Sequence, residues 1–226
     1  VLERVLPAEV AVVSSREEID APLFAEEEGI VSRAVEKRRR EFTTARACAR
    51  RALAELGVAP IAIPSGSRGE PQWPEGIVGS ITHCDGYRAC VVGRAGEFAA
   101  LGVDAEVDAP LPPGVLGDIS LPEERELLAA LARRQPGPSW DRLLFSAKEC
   151  VYKAWFPLAG RWLGFEDAEV TIDLDRGSFT ARLLVPGPTL AGREVRGFSG
   201  RWSLGDGIVV AAIAVPATPR DLELER

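Results

Sequence analysis

In the stretch LGVDAEV, residues 101–107, Asp104 and Glu106 alternate with Leu101, Val103, Ala105 and Val107. A strand sends successive side chains to opposite faces. The two carboxylates therefore share a face, with bases about 7 Å apart at a rise of about 3.3 Å per residue. Carboxylates that close repel each other unless a cation sits between them. A hard divalent ion would serve: Mg2+ takes oxygen ligands at about 2.1 Å, commonly one or two protein carboxylates with waters and substrate phosphates. A solvated outer strand face would carry the same pattern without a metal.

A second segment, FSAKECVYKAW at 145–155, holds Lys148 and Lys153, two of the chain's three lysines; the third is Lys37. Read as a helix, it buries Leu144, Ala147, Val151 and Trp155 along one stripe. Glu149 and Lys153 lie one turn apart on another side, acid before base. An exposed pair of this kind stabilises a helix by only ~0.3–0.5 kcal/mol. The neighbours Phe145, Tyr152 and Phe156 argue against free solvation. A carboxylate in such surroundings can be tuned as a general base, and the lysine can hold phosphate.

A third group lies in EKRRREFTTARACARR, where Arg38 and Arg46 are separated by about 80° around a helix axis. Both can address one broad face, and the guanidinium fork suits phosphate oxygens. A solvated helix face is the alternative for either one. His83, the single histidine, follows Thr82 at a strand end, where a phosphate contact and an ordinary surface position are both open.

These residues need elements to position them. EVAVVSS reads as a short strand. A helix is predicted to start near Ser32 as N-cap, with Phe42, Ala45, Ala49, Ala52 and Leu56 inward and Gly57 as the stop. A Pro/Gly-rich loop leads to a hairpin turning at Asp85-Gly86 and then to the strand FAALGVDAEV. After the connector DAPLPPGVLGD come a helix over PEERELLAALARR and another over WDRLLFSAKECVYKAWF, ending at Pro157. Two hairpins turn at 175–177 and 205–207, and the tail beyond Pro216 is expected to fray. Helix then antiparallel strands, twice over, predicts an α+β fold of two similar halves, 1–104 and 105–226.

With 226 residues, 46% of them hydrophobic, the chain can bury a sizeable core. A net charge of −7 argues against general nucleic-acid binding. The apolar runs are too short to span a bilayer, and no basic-then-apolar leader opens the sequence. Cys48, Cys84, Cys90 and Cys150 form no C-x-x-C pair, and one histidine gives no zinc signature. Reduced thiols and a cytoplasmic location are the expectation.

Together the segments resemble the 4'-phosphopantetheinyl transferases of the Sfp/enterobactin-synthase-component-D type. GVDAEV resembles that family's G-[IV]-D-x-E element, and FSAKECVYKAW its F-[ST]-x-K-E-[SAC]-x-[YF]-K-A element. RRREFTTARACARRAL, RGEPQWPEGIVGSITHC, GYRACVVG and RWLGFEDA are similar to its actinobacterial, siderophore-synthase-like subgroup. The resemblance covers roughly residues 32–215. It implies a pseudo-dimeric fold with coenzyme A between the halves, residues 1–104 on the nucleotide side and 105–226 carrying the catalytic helix. It implies transfer of the phosphopantetheine arm of coenzyme A to a serine of an acyl or peptidyl carrier protein, releasing 3',5'-ADP.

By the same resemblance Asp104 and Glu106 ligate Mg2+, or Mn2+, with Glu149 and the Ala105 backbone. Glu149 is the base, and Lys153 and Lys148 stabilise diphosphate charge. Arg38, Arg46 and the loop Ser65, Gly66, Ser67 and Arg68 hold the nucleotide and its 3'-phosphate. Thr82 and His83 contact the adenine–phosphate region, and Leu163 lines the arm. Relatives often carry a lysine where this chain has Ser65, so Arg68 would take over part of the phosphate contact. A monomer is implied, because both walls of the cleft lie in one chain. Carrier proteins of fatty-acid, polyketide, peptide-synthetase or siderophore assembly are all open as partners. A Mg2+-dependent phosphohydrolase and a non-catalytic coenzyme A- or carrier-binding module are the competing readings.

Overall fold

Short runs of apolar residues build the first sheet, and the computed structural model describes the chain over residues 1–218. The tail expected to fray lies, from residue 219 on, outside the described residues. Strand β1 (Ala11–Ser15) precedes two helices, α1 (Ala25–Val31) and α2 (Glu36–Glu55). Then come β2 (Ile77–Cys84) and β3 (Tyr87–Arg94), joined at Asp85-Gly86 as predicted. The antiparallel order is β1-β3-β2. Helix α2 covers one face, packing Cys48, Ala49, Ala52 and Leu53 on Ala11, Ile77, Cys90 and Val92.

The second half repeats the plan at larger size. After β4 (Phe98–Val107) come α3 (Val115–Ile119), α4 (Pro122–Arg134) and α5 (Trp140–Ala159). Strands β5 (Ala168–Asp173) and β6 (Ser178–Leu183) form a hairpin. The short pair β7 (Thr189–Leu190) and β8 (Arg193–Glu194) follows, then the hairpin of β9 (Gly197–Gly205) and β10 (Ile208–Pro216). The sheet order is β4-β10-β9-β6-β5, antiparallel throughout. Helix α5 buries the predicted stripe Leu144, Ala147, Val151 and Trp155 against it. The architecture is the expected α+β arrangement of two similar halves.

Two helix ends differ from the sequence expectation. Helix α2 starts three residues later, with an extended Val35 as N-cap. Ser32 instead closes α1, its hydroxyl donating to the Gly29 carbonyl at 2.9 Å. A serine beside a helix suggests a start because its hydroxyl can satisfy free N–H groups; here it satisfies a free C=O. Helix α5 continues through Pro157 to Ala159. Proline in the last turn removes only one N–H, and Trp155 Nε1 fastens that turn to the Arg161 carbonyl at 2.8 Å. Termination falls to Gly160 in the left-handed conformation, whose N–H reaches the Phe156 carbonyl.

The seam between the sheets is unusual. Ser80 Oγ and Thr82 Oγ1 of β2 accept the N–H groups of Val103 and Ala105 of β4, at 3.1 and 2.9 Å. Two hydroxyls thus take the place of a strand ladder. Beneath them Tyr87, Val91, Leu101, Val103 and Ala212 form a core shared by both halves.

On the other face of β4, Gly102 permits the closest approach of α5. A Cβ there would stand 2.3 Å from the Cys150 carbonyl oxygen. Because the obstacle is backbone, Gly102→Ala is expected to destabilise the protein by about 1–3 kcal/mol. Thermal unfolding checks this.

Candidate functional site

Close seating of α5 on β4 brings the two chemical segments together. Lys153 Nζ lies 2.7 Å from Asp104 Oδ1 and 3.0 Å from the Val103 carbonyl. Asp104 is 5% exposed, and the Lys153 side chain 25%. Thr82 donates its hydroxyl to the same Asp104 oxygen at 3.2 Å. The other oxygen, Asp104 Oδ2, is buried with no hydrogen-bond partner. Burial opposes the Lys153 charge, but the charge and hydrogen bond of Asp104 outweigh it and raise the lysine pKa. Glu149, one turn earlier, is partly buried. Its pKa is raised by that burial, opposed by Lys153 and reinforced by Asp104.

Glu106 pairs with Arg142 at 3.2 Å. Its pKa is pushed up to about 7 by burial and by the Asp104 charge, against the pull of Arg142. Sequence reading missed Arg142, which also holds the Ala109 and Pro110 carbonyls at 2.9 and 3.1 Å. Its spacing offered a signal, since Arg142, Glu149 and Lys153 stand at i, i+7 and i+11 on one helix stripe.

Among the described residues no three His, Cys, Asp or Glu side chains converge as a ready-made metal cage. The donor chemistry nevertheless fits a hard cation. Asp104 has a buried oxygen without a partner, and Asp104 acts electrostatically on both Glu106 and Glu149. An ion among them would relieve that repulsion. Ala105 can offer only backbone, and its N–H is already bound to Thr82.

On the first half, Arg38 meets His83, with NH1 to Nε2 at 2.9 Å. Burial and then the Arg38 charge lower the His83 pKa, so the ring is neutral at pH 7. Arg46 is buried, stacked over Phe42 with 4.3 Å to the ring centre, and donates to Ser65 Oγ at 3.3 Å. Its Nε has no hydrogen-bond partner, and burial pushes its pKa down to about 10. The loop of Ser65, Gly66, Ser67 and Arg68 folds around Glu70, which sequence reading missed. Its carboxylate accepts the Arg68 N–H at 2.9 Å, and its carbonyl the Gly66 N–H at 2.8 Å.

Between the halves lies a cavity of about 350 Å³. Its walls include Arg68 from the first half and Glu149, Tyr152, Trp162, Leu163 and Phe165 from the second. Trp162 and Tyr152 pack ring to ring at 4.9 Å. Lys148 borders the cavity but is turned inward and 2% exposed. Its ammonium contacts Glu124 Oε2 at 2.8 Å and the Phe165 and Ala168 carbonyls at 2.7 and 3.0 Å. Those three acceptors match its three protons. Burial lowers its pKa, and Glu124 opposes the shift. The two lysines expected on one diphosphate are therefore differently placed: Lys153 retains a proton and a solvent-facing edge, and Lys148 does not.

Comparison with known proteins matches residues 26–93 to the model of the 4'-phosphopantetheinyl transferase N-terminal domain, and residues 100–204 to that of the 4'-phosphopantetheinyl transferase superfamily. The chain is 58% identical over 195 residues to 4'-phosphopantetheinyl transferase Svp of Streptomyces mobaraensis, covering 86% of this chain and 79% of the other. It is 48% identical over 225 residues to 4'-phosphopantetheinyl transferase Npt of Nocardia iowensis, covering 94% and 99%. Enterobactin synthase component D of Salmonella typhi is more distant, 32% identical over 193 residues, covering 82% and 76%. The first model ends within β3 and the second begins within β4, so the match divides where the two sheets meet, and the chain belongs to the 4'-phosphopantetheinyl transferases.

Proposed function

We propose that Asp104, Glu106, Glu149 and Lys153 carry out the reaction of this family: transfer of the phosphopantetheine arm of coenzyme A to a serine of a carrier protein, with release of 3',5'-ADP. The observation that carries the assignment is the meeting of α5 and β4. There Lys153 lies on one oxygen of Asp104 while the other is buried without a partner. Glu149 accepts the proton of the serine hydroxyl, directly or through a water, as the oxygen forms its bond to the β-phosphorus. The bond from that phosphorus to the bridging oxygen breaks, and the charge gathering there is stabilised by the remaining Lys153 proton. Asp104, Glu106 and Glu149, with the Ala105 backbone, are the groups that would hold Mg2+ or Mn2+. Such an ion, when bound, supplies positive charge to the diphosphate oxygens.

The division of labour follows residues 1–104 as the nucleotide side and 105–226 as the catalytic and carrier side, the line falling within β4. Arg38, Arg46, His83, Thr82 and the Ser65–Arg68 loop take the nucleotide and its 3'-phosphate. The cavity lined by Leu163 takes the arm. Lys148 belongs to the scaffold of that cavity in this reading. A monomer in the cytoplasm, without a nucleic-acid partner, fits a cleft built from one chain of net charge −7. No helix among the described residues is long and apolar enough to cross a membrane.

Incubation of apo carrier proteins with the enzyme, coenzyme A and Mg2+ tests the reading. A panel drawn from siderophore, fatty-acid, polyketide and peptide-synthetase systems also identifies the partners. A modified carrier gains about 340 Da in intact mass. Release of 3',5'-ADP with no carrier gain would point to hydrolysis instead.

The metal assignment has its own consequence. With Glu106 titrating at about 7, close to half a proton is expected to leave it on Mg2+ binding at pH 7. A group whose pKa is raised competes with the metal below that pKa, so apparent Mg2+ affinity should fall by up to about tenfold per unit on acidification below 7. Calorimetric titration in buffers of different ionisation enthalpy measures both effects. Flat affinity between pH 5.5 and 8 would remove Glu106 from the ligand set.

A further inference from the structure

Among the described residues each half contains one fully buried glutamate that the proposed reaction does not use. Glu27 and Glu124 are 0% and 1% exposed. Each ends an apolar-x-Glu-Glu stretch, Phe24 to Glu27 and Leu121 to Glu124, and each is the third residue of its helix, α1 or α4. Glu27 Oε2 accepts the Phe24 N–H at 3.0 Å, and Glu124 Oε2 the Leu121 N–H at 2.7 Å.

The second oxygen leaves the helix in both cases. Glu27 Oε1 accepts the Ile63 N–H at 2.9 Å, and Glu124 Oε1 the Val170 N–H at 2.7 Å. Each carboxylate then meets positive charge from the long helix of its own half: Glu27 meets Arg50 of α2 at 2.9 Å and Arg46 of the same helix at 3.9 Å, and Glu124 meets Lys148 of α5 at 2.8 Å. Arg50 and Lys148 go on to backbone carbonyls: Arg50 to Pro22, and Lys148 to Phe165 and Ala168.

Capping a helix requires only one carboxylate oxygen. The rest of each knot ties the capped helix and the long helix to the segment that follows. In the first half that segment runs from Ile63 into the Ser65–Arg68 loop. In the second it includes Phe165, two residues after Leu163. Both segments reach the same cavity, through Arg68 on one side and through Leu163 and Phe165 on the other. A buried carboxylate with two N–H donors and a cation has little freedom left, so it fixes whatever it holds.

We infer that Glu27 and Glu124 are equivalent positioning residues that set the two walls of the cleft, Glu27 the wall for the nucleotide and Glu124, through Lys148, the wall along the phosphopantetheine arm. This rests on the proposed assignment of the Ser65–Arg68 loop to the nucleotide and of the cavity to the arm.

Aspartate variants separate reach from charge, since they keep the carboxylate and withdraw it by one bond, about 1.5 Å. Dissociation constants are measured for coenzyme A and for 3',5'-ADP, which lacks the arm, together with kcat and thermal unfolding. Glu124→Asp should weaken coenzyme A by about tenfold and leave 3',5'-ADP within about twofold. Glu27→Asp should weaken both ligands by a similar factor. Lys148→Met should behave as Glu124→Asp does. If an aspartate variant does not fold, Lys148→Arg and Arg50→Lys keep the charge, change the donor geometry and carry the same comparison.

The inference is overturned if Glu124→Asp weakens both ligands equally or neither. It is also overturned if Lys148→Met lowers kcat with coenzyme A binding intact, which would put Lys148 on the diphosphate. Leu163→Ala and Arg38→Ala, in the same assays, report on the underlying assignments. If neither shifts coenzyme A binding, those assignments fail and the inference with them. If both do while the glutamate variants are silent, the inference alone fails.

Discussion

Glu149→Ala is expected to lower kcat by about 10³-fold while the dissociation constant for coenzyme A changes by no more than about threefold. The asymmetry follows from where Glu149 stands. It lines the cavity between the halves, one helical turn from Lys153, and is not part of the arginine-rich first half that would hold the nucleotide. Burial raises its pKa, which moves a carboxylate toward the range where a general base is effective near neutral pH. The base form is the ionised one, so kcat should climb as pH rises through that pKa. Glu149→Gln keeps the volume and removes the basicity together with the carboxylate charge. Its residual activity should lose the acidic limb of the profile. Coenzyme A binding that weakens as much as kcat falls would make Glu149 a binding group, and undiminished activity in either variant would end the assignment.

The parts of this site that were legible in the sequence were those held within one element. Alternation in LGVDAEV put Asp104 and Glu106 on one face because a strand has a period of two, and the helix period put Glu149 one turn from Lys153. The buried contacts of Lys148 were not legible. Its partners Glu124, Phe165 and Ala168 stand 24, 17 and 20 residues away, and only tertiary packing selects them. The helix period also placed Arg142 on the stripe of Glu149 and Lys153, but its acceptors lie across the connector in Glu106, Ala109 and Pro110 and no spacing selects them.

Helix α1 escaped for a different reason. AEEEGIV is too short and too acidic to show an apolar stripe, and its stability comes from Glu27, whose partners Arg50 and Ile63 are remote. The hairpins were legible because their turn residues carry local conformational information, and the halves because the helix-then-strands pattern recurs. What no periodicity displays is the seam, where two hydroxyls of β2 stand in for a ladder and so fix β4 beside His83 and Thr82.

Lys153→Ala should damage both catalysis and stability, and the two losses have separable causes. Removing an electrostatic stabiliser of the leaving diphosphate should lower kcat by about 10²–10³-fold. The same change leaves Asp104, 5% exposed and already with one oxygen unpartnered, without its cation. Breaking a fully buried pair costs ~3–5 kcal/mol; with a quarter of the Lys153 side chain exposed, water absorbs part of this, and about 2 kcal/mol is expected.

The lysine pKa is raised in the folded protein, so the pair's stabilisation is fully present below 10.5, the ordinary value, and is lost only as pH rises through the higher folded one. The titration of Lys153 itself therefore adds no pH dependence near neutrality, but Lys153 also favours the charge of Glu106, so the deficit in the variant should grow as pH rises through about 7. If Mg2+ binds at Asp104, it restores a cation there. Saturating Mg2+ should then raise the unfolding temperature of Lys153→Ala by more than it raises that of the wild type. An inactive variant as stable as the wild type would show that Lys153 serves the phosphate and not Asp104. An equal Mg2+ effect on both proteins would place the ion away from Asp104, and with it the charge on which the proposed chemistry depends.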